Sequence, residues 1–246
     1  MDSHRSNEKR ALYQVSLLQG LTYGDYRGSV RIEELCAHGD VGLGTFDRLN
    51  GELILIDGEA YRAAGDGSVT EVARDETTPF AVATRMGSDF TCKLSEVSDI
   101  GELERGLQTV VDERGKNRFY MIRIDGLFDR VNVRSVPAQS EPYRPLVEVL
   151  EREQTFFERE CVKGSIVGLY CPPYMSYLNA VGWHMHFISE DRSFGGHLLG
   201  IEIAEATLHL CDVDALKLSL PTCESFHRFD LTLDQSRDIE RVEKNK

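Results

Sequence analysis

The chain has 246 residues, 41% of them hydrophobic and 28% charged, ordinary values for a globular protein with enough material for a buried core. A formal net charge of −13, with no basic stripe and no interleaved aromatics, argues against nucleic acid as a partner. No apolar run reaches membrane-spanning length, so no membrane role is expected. The charged N-terminus (Met1 to Arg10) is not followed by a signal-type apolar segment, and the six cysteines lack any CxxC pairing. The expectation is a soluble cytoplasmic protein with free thiols.

Taken in chain order, residues 12–18 form a mixed apolar run ending at Gly20, and 32–38 read as a short helix closed by Gly39. Residues 41–50 lead into Gly51, and 52–56 are a strong β-type run stopped by Asp57-Gly58. The runs 60–64 and 69–72 flank Gly65-Asp66-Gly67 and predict a hairpin, with a further apolar run at 80–84. Residues 94–111 show helical spacing through Leu94, Val97, Ile100, Leu103, Leu107 and Val111. Asp125-Gly126 between 118–124 and 127–136 predicts a two-residue hairpin.

Pro137, Pro142 and Pro145 mark a loop, and 146–157 predict a helix. Strands follow at 165–171, 179–188, 197–204 and 207–212, while 230–246 read as a polar helix or tail. The fold class expected is α+β, with two lobes of mixed and antiparallel sheet and flanking helices. The lobes are placed at 1–160 and 161–246, the second carrying a metal site.

The strongest chemical signal is Gly182-Trp183-His184-Met185-His186, followed by Gly195-Gly196-His197. Alternating side chains on a strand put Trp183, Met185 and Phe187 on one face and His184 and His186 on the other. The Gly-Gly pair suits a tight return that brings His197 opposite them. Three neutral imidazoles with one open position form the ligand set of catalytic zinc, whereas a closed four-ligand set is structural. The competing bland reading is a polar strand face with hydrogen-bonded histidines. His209 and His227 carry no such pattern and read as structural or surface residues.

Several separated motifs resemble the acetolactate decarboxylases. They are His38-Gly39-Asp40-Val41-Gly42-Leu43-Gly44-Thr45-Phe46, Leu49-Asn50-Gly51-Glu52-Leu53 and Asp57-Gly58-Glu59; then Phe119 to Gly126, Val133-Arg134-Ser135-Val136-Pro137, and the histidine segments with Gly168. The resemblance spans most of the chain and implies a homodimer. It also implies conversion of (S)-2-acetolactate to (R)-acetoin and CO2, with Zn2+ held by His184, His186 and His197. It further implies an arginine at Arg134, a C-terminal glutamate at Glu243, and Thr45 and Glu52 in the pocket, with Glu59 as a further substrate-binding candidate.

The reaction asks for these residue types. Loss of CO2 from a β-keto acid pushes an electron pair toward the ketone oxygen, so the barrier reflects a developing enediolate. A metal with neutral ligands keeps its positive charge for that oxygen, and an arginine fork can pair two oxygens at once. A carboxyl group then delivers a proton; Glu52 and Glu243 both remain open for that role. Without the resemblance, Arg134 would read as a surface strand cation and Glu243 as part of a solvated tail.

Two rival readings belong to other classes. One is a cupin-like metal oxygenase or isomerase using His184, His186 and Glu190, although the glycine expected six residues before the first histidine is replaced by Leu178. The other is a non-catalytic zinc protein, against which stand Arg134 and Glu52 beside all three histidines.

Overall fold

Strands are the dominant regular structure in the computed structural model, which describes residues 9–232. In chain order they begin with β1 (Ala11–Val15), β2 (Val30–Arg31), β3 (Val41–Thr45), β4 (Glu52–Ile56), β5 (Glu59–Ala63) and β6 (Val69–Glu71). Next come β7 (Thr77–Thr78), β8 (Ala81–Thr84), β9 (Phe90–Val97), β10 (Phe119–Ser135) and β11 (Thr155–Cys171). The last are β12 (Gly182–Ser189), β13 (Gly195–Val213) and β14 (Ala215–Ser219). The helices are α1 (Leu18–Thr22), α2 (Ile32–His38), α3 (Ile100–Arg114), α4 (Leu146–Glu153) and α5 (Glu224–Arg228).

The first sheet has the order β14-β1-β8-β3-β4-β5-β6, and all its neighbours are antiparallel except β1 with β14. β4 explains its own position: every residue of Glu52-Leu53-Ile54-Leu55-Ile56 is buried. Leu53 and Leu55 join the core under α2, and Ile54 and Ile56 point into the core between the sheets. A strand covered on both faces reads as a continuous apolar run.

The second sheet runs β10-β11-β12-β13-β9, and β13 also pairs with β10. The ring β10-β11-β12-β13 therefore closes on itself, and β9 pairs with β13 further along the edge that β12 leaves free. Leu103, Leu107 and Val111 of α3 pack into the core of this sheet with Trp183, Met185 and Phe187. Between the two sheets, Leu43, Ile54 and Ile56 meet Val167, Leu169 and Ile188.

The α+β class is borne out, and several local expectations change. The helical spacing at 94–111 merges two elements, because Leu94 and Val97 belong to β9 and the helix starts at Ile100. In β9, partly buried Phe90, Cys92 and Leu94 alternate with exposed Thr91, Lys93 and Ser95, a period of two hidden beside a period of 3.6. Asp99 caps the helix by accepting a 2.7 Å hydrogen bond from the Glu102 amide, and the Glu102 carboxylate accepts from the Ser98 amide at 2.8 Å.

Asp125-Gly126 is not a hairpin. It lies within the continuous strand β10, whose two edges are taken by β11 and β13, so its halves have no need of each other. A side chain at Gly126 would sit 2.3 Å from the Glu205 carbonyl oxygen, and this close strand approach is what the glycine permits. α4 stops at Glu153, and residues 155–157 start β11. The return between β12 and β13 is made upstream of Gly195-Gly196, around Ser189 to Phe194. The glycine pair lies in β13 itself, where a Cβ on Gly196 would approach the Arg134 carbonyl oxygen to 2.6 Å. β9 and β10 belong with the histidine-bearing strands, and β14 returns to the first sheet.

Candidate active site

Three histidines converge where the two sheets meet. His184 and His186 lie on β12, two residues apart and on the face opposite the Trp183 core, and both are buried. The antiparallel register of β12 with β13 sets His197 directly across from His186. On the other edge of β13, His197 is paired with Arg134 of β10. One row across three strands therefore carries His186, His197 and Arg134, and His184 stands beside it.

The ring centroids of the three histidines lie 5.0, 5.0 and 5.4 Å apart, and one potential ligand atom from each falls within 4.8 Å of the others. His184 Nε2 and His186 Nε2 are 3.2 Å apart. Two nitrogens at about 2.0–2.1 Å from one tetrahedral zinc are separated by about 3.3 Å, so this spacing fits a shared metal.

His186 Nδ1 lies 2.9 Å from the Leu53 carbonyl oxygen of β4. That oxygen can only accept, so Nδ1 carries the proton and Nε2 offers its lone pair to the cluster. Burial, reinforced by the Arg134 charge, pushes His184 down to about 3. Burial likewise holds His186 well below its ordinary value, with His184 and Arg134 adding to it. Both imidazoles are neutral at physiological pH, as metal ligands must be. The donor set, three buried imidazoles, fits a divalent cation.

The first sheet supplies the neighbours. Thr45 ends β3 opposite Glu52, the first residue of β4. The Thr45 hydroxyl donates to the Gly51 carbonyl at 2.7 Å, which holds the β3–β4 connection over the pocket. Glu52 reaches across to the second sheet: its Oε1 lies 3.1 Å from Arg134 Nη1 and its Oε2 lies 3.5 Å from His186 Nε2. The Arg134 and Glu52 side chains are only 5% and 10% exposed, so this ion pair is screened little by water.

A cavity opens between these groups. Thr45, Glu52, Arg134, His184 and His197 line it, together with Leu18 and Leu21 of α1, Leu146 and Leu150 of α4, and Leu49, Phe80 and Val136. The apolar contributors escaped the sequence reading because a leucine that lines a pocket has the same spacing as one that fills a core. Trp183 and Tyr170 pack in the core of the second sheet, and Tyr174 and Tyr177 are exposed.

Two expected positions are not part of this assembly. Glu59 pairs with Arg74 at 2.7 Å on the surface, 46% exposed. It sits at the turn of the β4–β5 hairpin, four strand residues beyond Glu52, or roughly 13 Å along the sheet. Glu190, the cupin-type ligand candidate, lies in the β12–β13 connection and lines a separate open groove with Lys93 and Arg123. Among the described residues, the metal-ligand cluster contains histidines alone. Glu243 lies outside the described residues.

Comparison with known proteins gives a consistent picture. A family model described as alpha-acetolactate decarboxylase matches residues 12–233. An alpha-acetolactate decarboxylase of Methanosarcina mazei is 38% identical over 239 residues, covering 97% of this chain and 82% of the relative. One from Bacillus subtilis is 37% identical over 233 residues, covering 94% and 90%. A crystal structure of alpha-acetolactate decarboxylase from Bacillus subtilis superposes with a TM-score of 0.91 at 36% identity, over 95% of this chain and 99% of that one.

Proposed function

Given that this chain belongs to the alpha-acetolactate decarboxylase family and is a carboxy-lyase, we propose that its pocket between the two sheets converts (S)-2-acetolactate to (R)-acetoin and CO2. The observation that carries this reading is the meeting of three buried histidines with the Glu52–Arg134 pair at one cavity, which His184, His197, Glu52 and Arg134 line. His184, His186 and His197 would hold the metal, with zinc as the proposed ion. When bound there, zinc would supply a Lewis acid for the charge that develops as CO2 departs, an effect worth several kcal/mol of barrier.

The chain's own residues divide the remaining work. Arg134 presents its guanidinium to the substrate carboxylate and the adjacent oxygens, and β10 and β13 fix its position. As the bond from C2 to the carboxylate breaks, the electron pair moves toward the ketone oxygen and gives an enediolate. A proton must then reach C2 on one face to give the R product. Glu52, next to Arg134, and Glu243 are the two proposed donors, each passing to C2 a proton that its carboxylate has first taken up from water, and Thr45 orients the substrate beside Glu52. The leucines of α1 and α4 exclude water from the apolar part of the cavity. A homodimer completes the proposal on the strength of the resemblance, and a cytoplasmic location rests on six free thiols.

The test is an incubation of purified protein with racemic acetolactate, with and without a chelator, followed by acetoin assay and chiral analysis. Formation of (R)-acetoin that stops on chelation and returns with zinc is expected. Absence of acetoin from metal-loaded protein would overturn the reading. Deleting residues 240–246 separates the two carboxyl donors: activity is lost with fold and metal content intact if Glu243 is required.

A further inference from the structure

The cavity is lined by two chemistries that come from different kinds of element. Its polar groups, Thr45, Glu52, Arg134, His184 and His197, all stand on strands, whereas α1 and α4 contribute leucines only. Leu18, Leu21, Leu146 and Leu150 belong to one apolar cluster. Leu146 and Leu150 are one turn apart on α4, so both present the same helix face.

α4 is also held in place. Glu153, its last residue, accepts from Gln139 Nε2 at 2.9 Å and pairs with Arg144, which lies just before the helix. Gln139 is in turn tied to Arg48, whose Nε donates to its carbonyl at 3.1 Å. Leu146 and Leu150 are 3% and 6% exposed, and Val149 between them is fully buried in the same cluster. A wall fastened at both ends and packed behind cannot retreat cheaply from a larger guest.

A 2-acyl-2-hydroxy acid has oxygens on its carboxylate, hydroxyl and ketone, and its only apolar parts are two alkyl groups. The strand-borne groups can satisfy every oxygen, which leaves the helix-borne leucines for the alkyl groups. We infer that Leu146 and Leu150 are specificity-determining residues that seat the alkyl substituent on C2 and limit its length, favouring methyl over ethyl. This inference rests on the decarboxylase reading above. The larger substrate reacts by the same balance: the bond from C2 to the carboxylate breaks, CO2 leaves, and a proton adds to C2.

The experiment compares kcat/KM for 2-hydroxy-2-methyl-3-oxobutanoate and its 2-ethyl homologue in the metal-loaded parent and in Leu146→Ala and Leu150→Ala. One methylene in an apolar pocket is worth about 10- to 200-fold in discrimination. The ethyl-to-methyl ratio should therefore rise about tenfold or more in at least one variant, with a smaller rise in the milder Leu150→Val, which guards against a failure of the alanine variants to fold. A purely structural role would lower both substrates by a common factor, and an unchanged ratio in all three variants overturns the inference while leaving the activity assigned. A parent that turns over neither substrate overturns the decarboxylase reading, and this inference with it.

Discussion

Replacing Glu52 with glutamine tests the junction between the two sheets. The carboxylate lies 3.1 Å from Arg134 Nη1, with both side chains nearly buried. At an effective dielectric constant of about 20, two unit charges at that distance attract by about 5 kcal/mol. An amide keeps the shape and one acceptor oxygen, and a hydrogen bond to a charged group recovers about 1.5–3 kcal/mol of this. The arginine is left buried with a neutral partner, so the expected net loss is about 2–4 kcal/mol of unfolding free energy, close to the cost of breaking a buried pair. For a domain of this size that corresponds to a fall in Tm of roughly 4–16 °C. The assay is urea unfolding of chelator-treated parent and Glu52→Gln proteins, alongside acetoin formation by the metal-loaded forms. A variant within about 0.5 kcal/mol of the parent, with unchanged kcat/KM, would refute the reasoning, because the pair would then be neither buried nor part of the pocket.

Further outcomes follow from the same geometry. His186→Ala removes one nitrogen of the cluster and the donor to the Leu53 carbonyl; zinc measured by atomic emission after dialysis should drop from one ion per chain to a small fraction, and retention of a full equivalent would contradict the ligand assignment. Acidification should destabilise the metal-free protein. Burial lowers His184 to about 3 from an ordinary value of 6.5, and shifts His186 the same way. The unfolded chain therefore takes up protons first, and stability present above about pH 6.5 is lost as pH falls toward the folded values. Each histidine contributes up to about 1.4 kcal/mol per pH unit, so His184→Gln should show a shallower slope between pH 6.5 and 5 than the parent, and equal slopes would count against the burial. Gly196→Ala places a Cβ 2.6 Å from the Arg134 carbonyl at a backbone φ of 153°; a loss of about 1–3 kcal/mol in chemical unfolding is expected, and an unaffected midpoint would show that the strands can part there without cost.

Much of the local structure was legible because one periodicity dominated. Residues 32–38 and 52–56 carry a single pattern bounded by glycine or a turn and become the elements expected, while the strand expected at 179–188 forms from Gly182 to Ser189. Misreadings cluster where two patterns abut, as at Leu94 and Val97, where a half-exposed strand runs into a capped helix. They also cluster where a turn signal is used for close packing, as at Gly126 and Gly195-Gly196. A glycine required by a neighbouring strand's carbonyl is indistinguishable, in one dimension, from a glycine required by a tight turn.

The histidine cluster was readable from composition and spacing, since alternation along β12 settles which side chains share a face. The resemblance added Arg134, Glu52 and Thr45. What only the tertiary structure decided is the encounter between sheets: Glu52 and Leu53 come from the first, Arg134 and the histidines from the second, and 82 residues separate Glu52 from Arg134. It also decided that Glu59 faces solvent beside Arg74, and that leucines of α1 and α4 line the cavity. The reason is physical. Backbone geometry sets the direction of a side chain from its immediate neighbours, but which surfaces lie against each other depends on burying apolar area over the whole chain, and that is a sum no local segment contains.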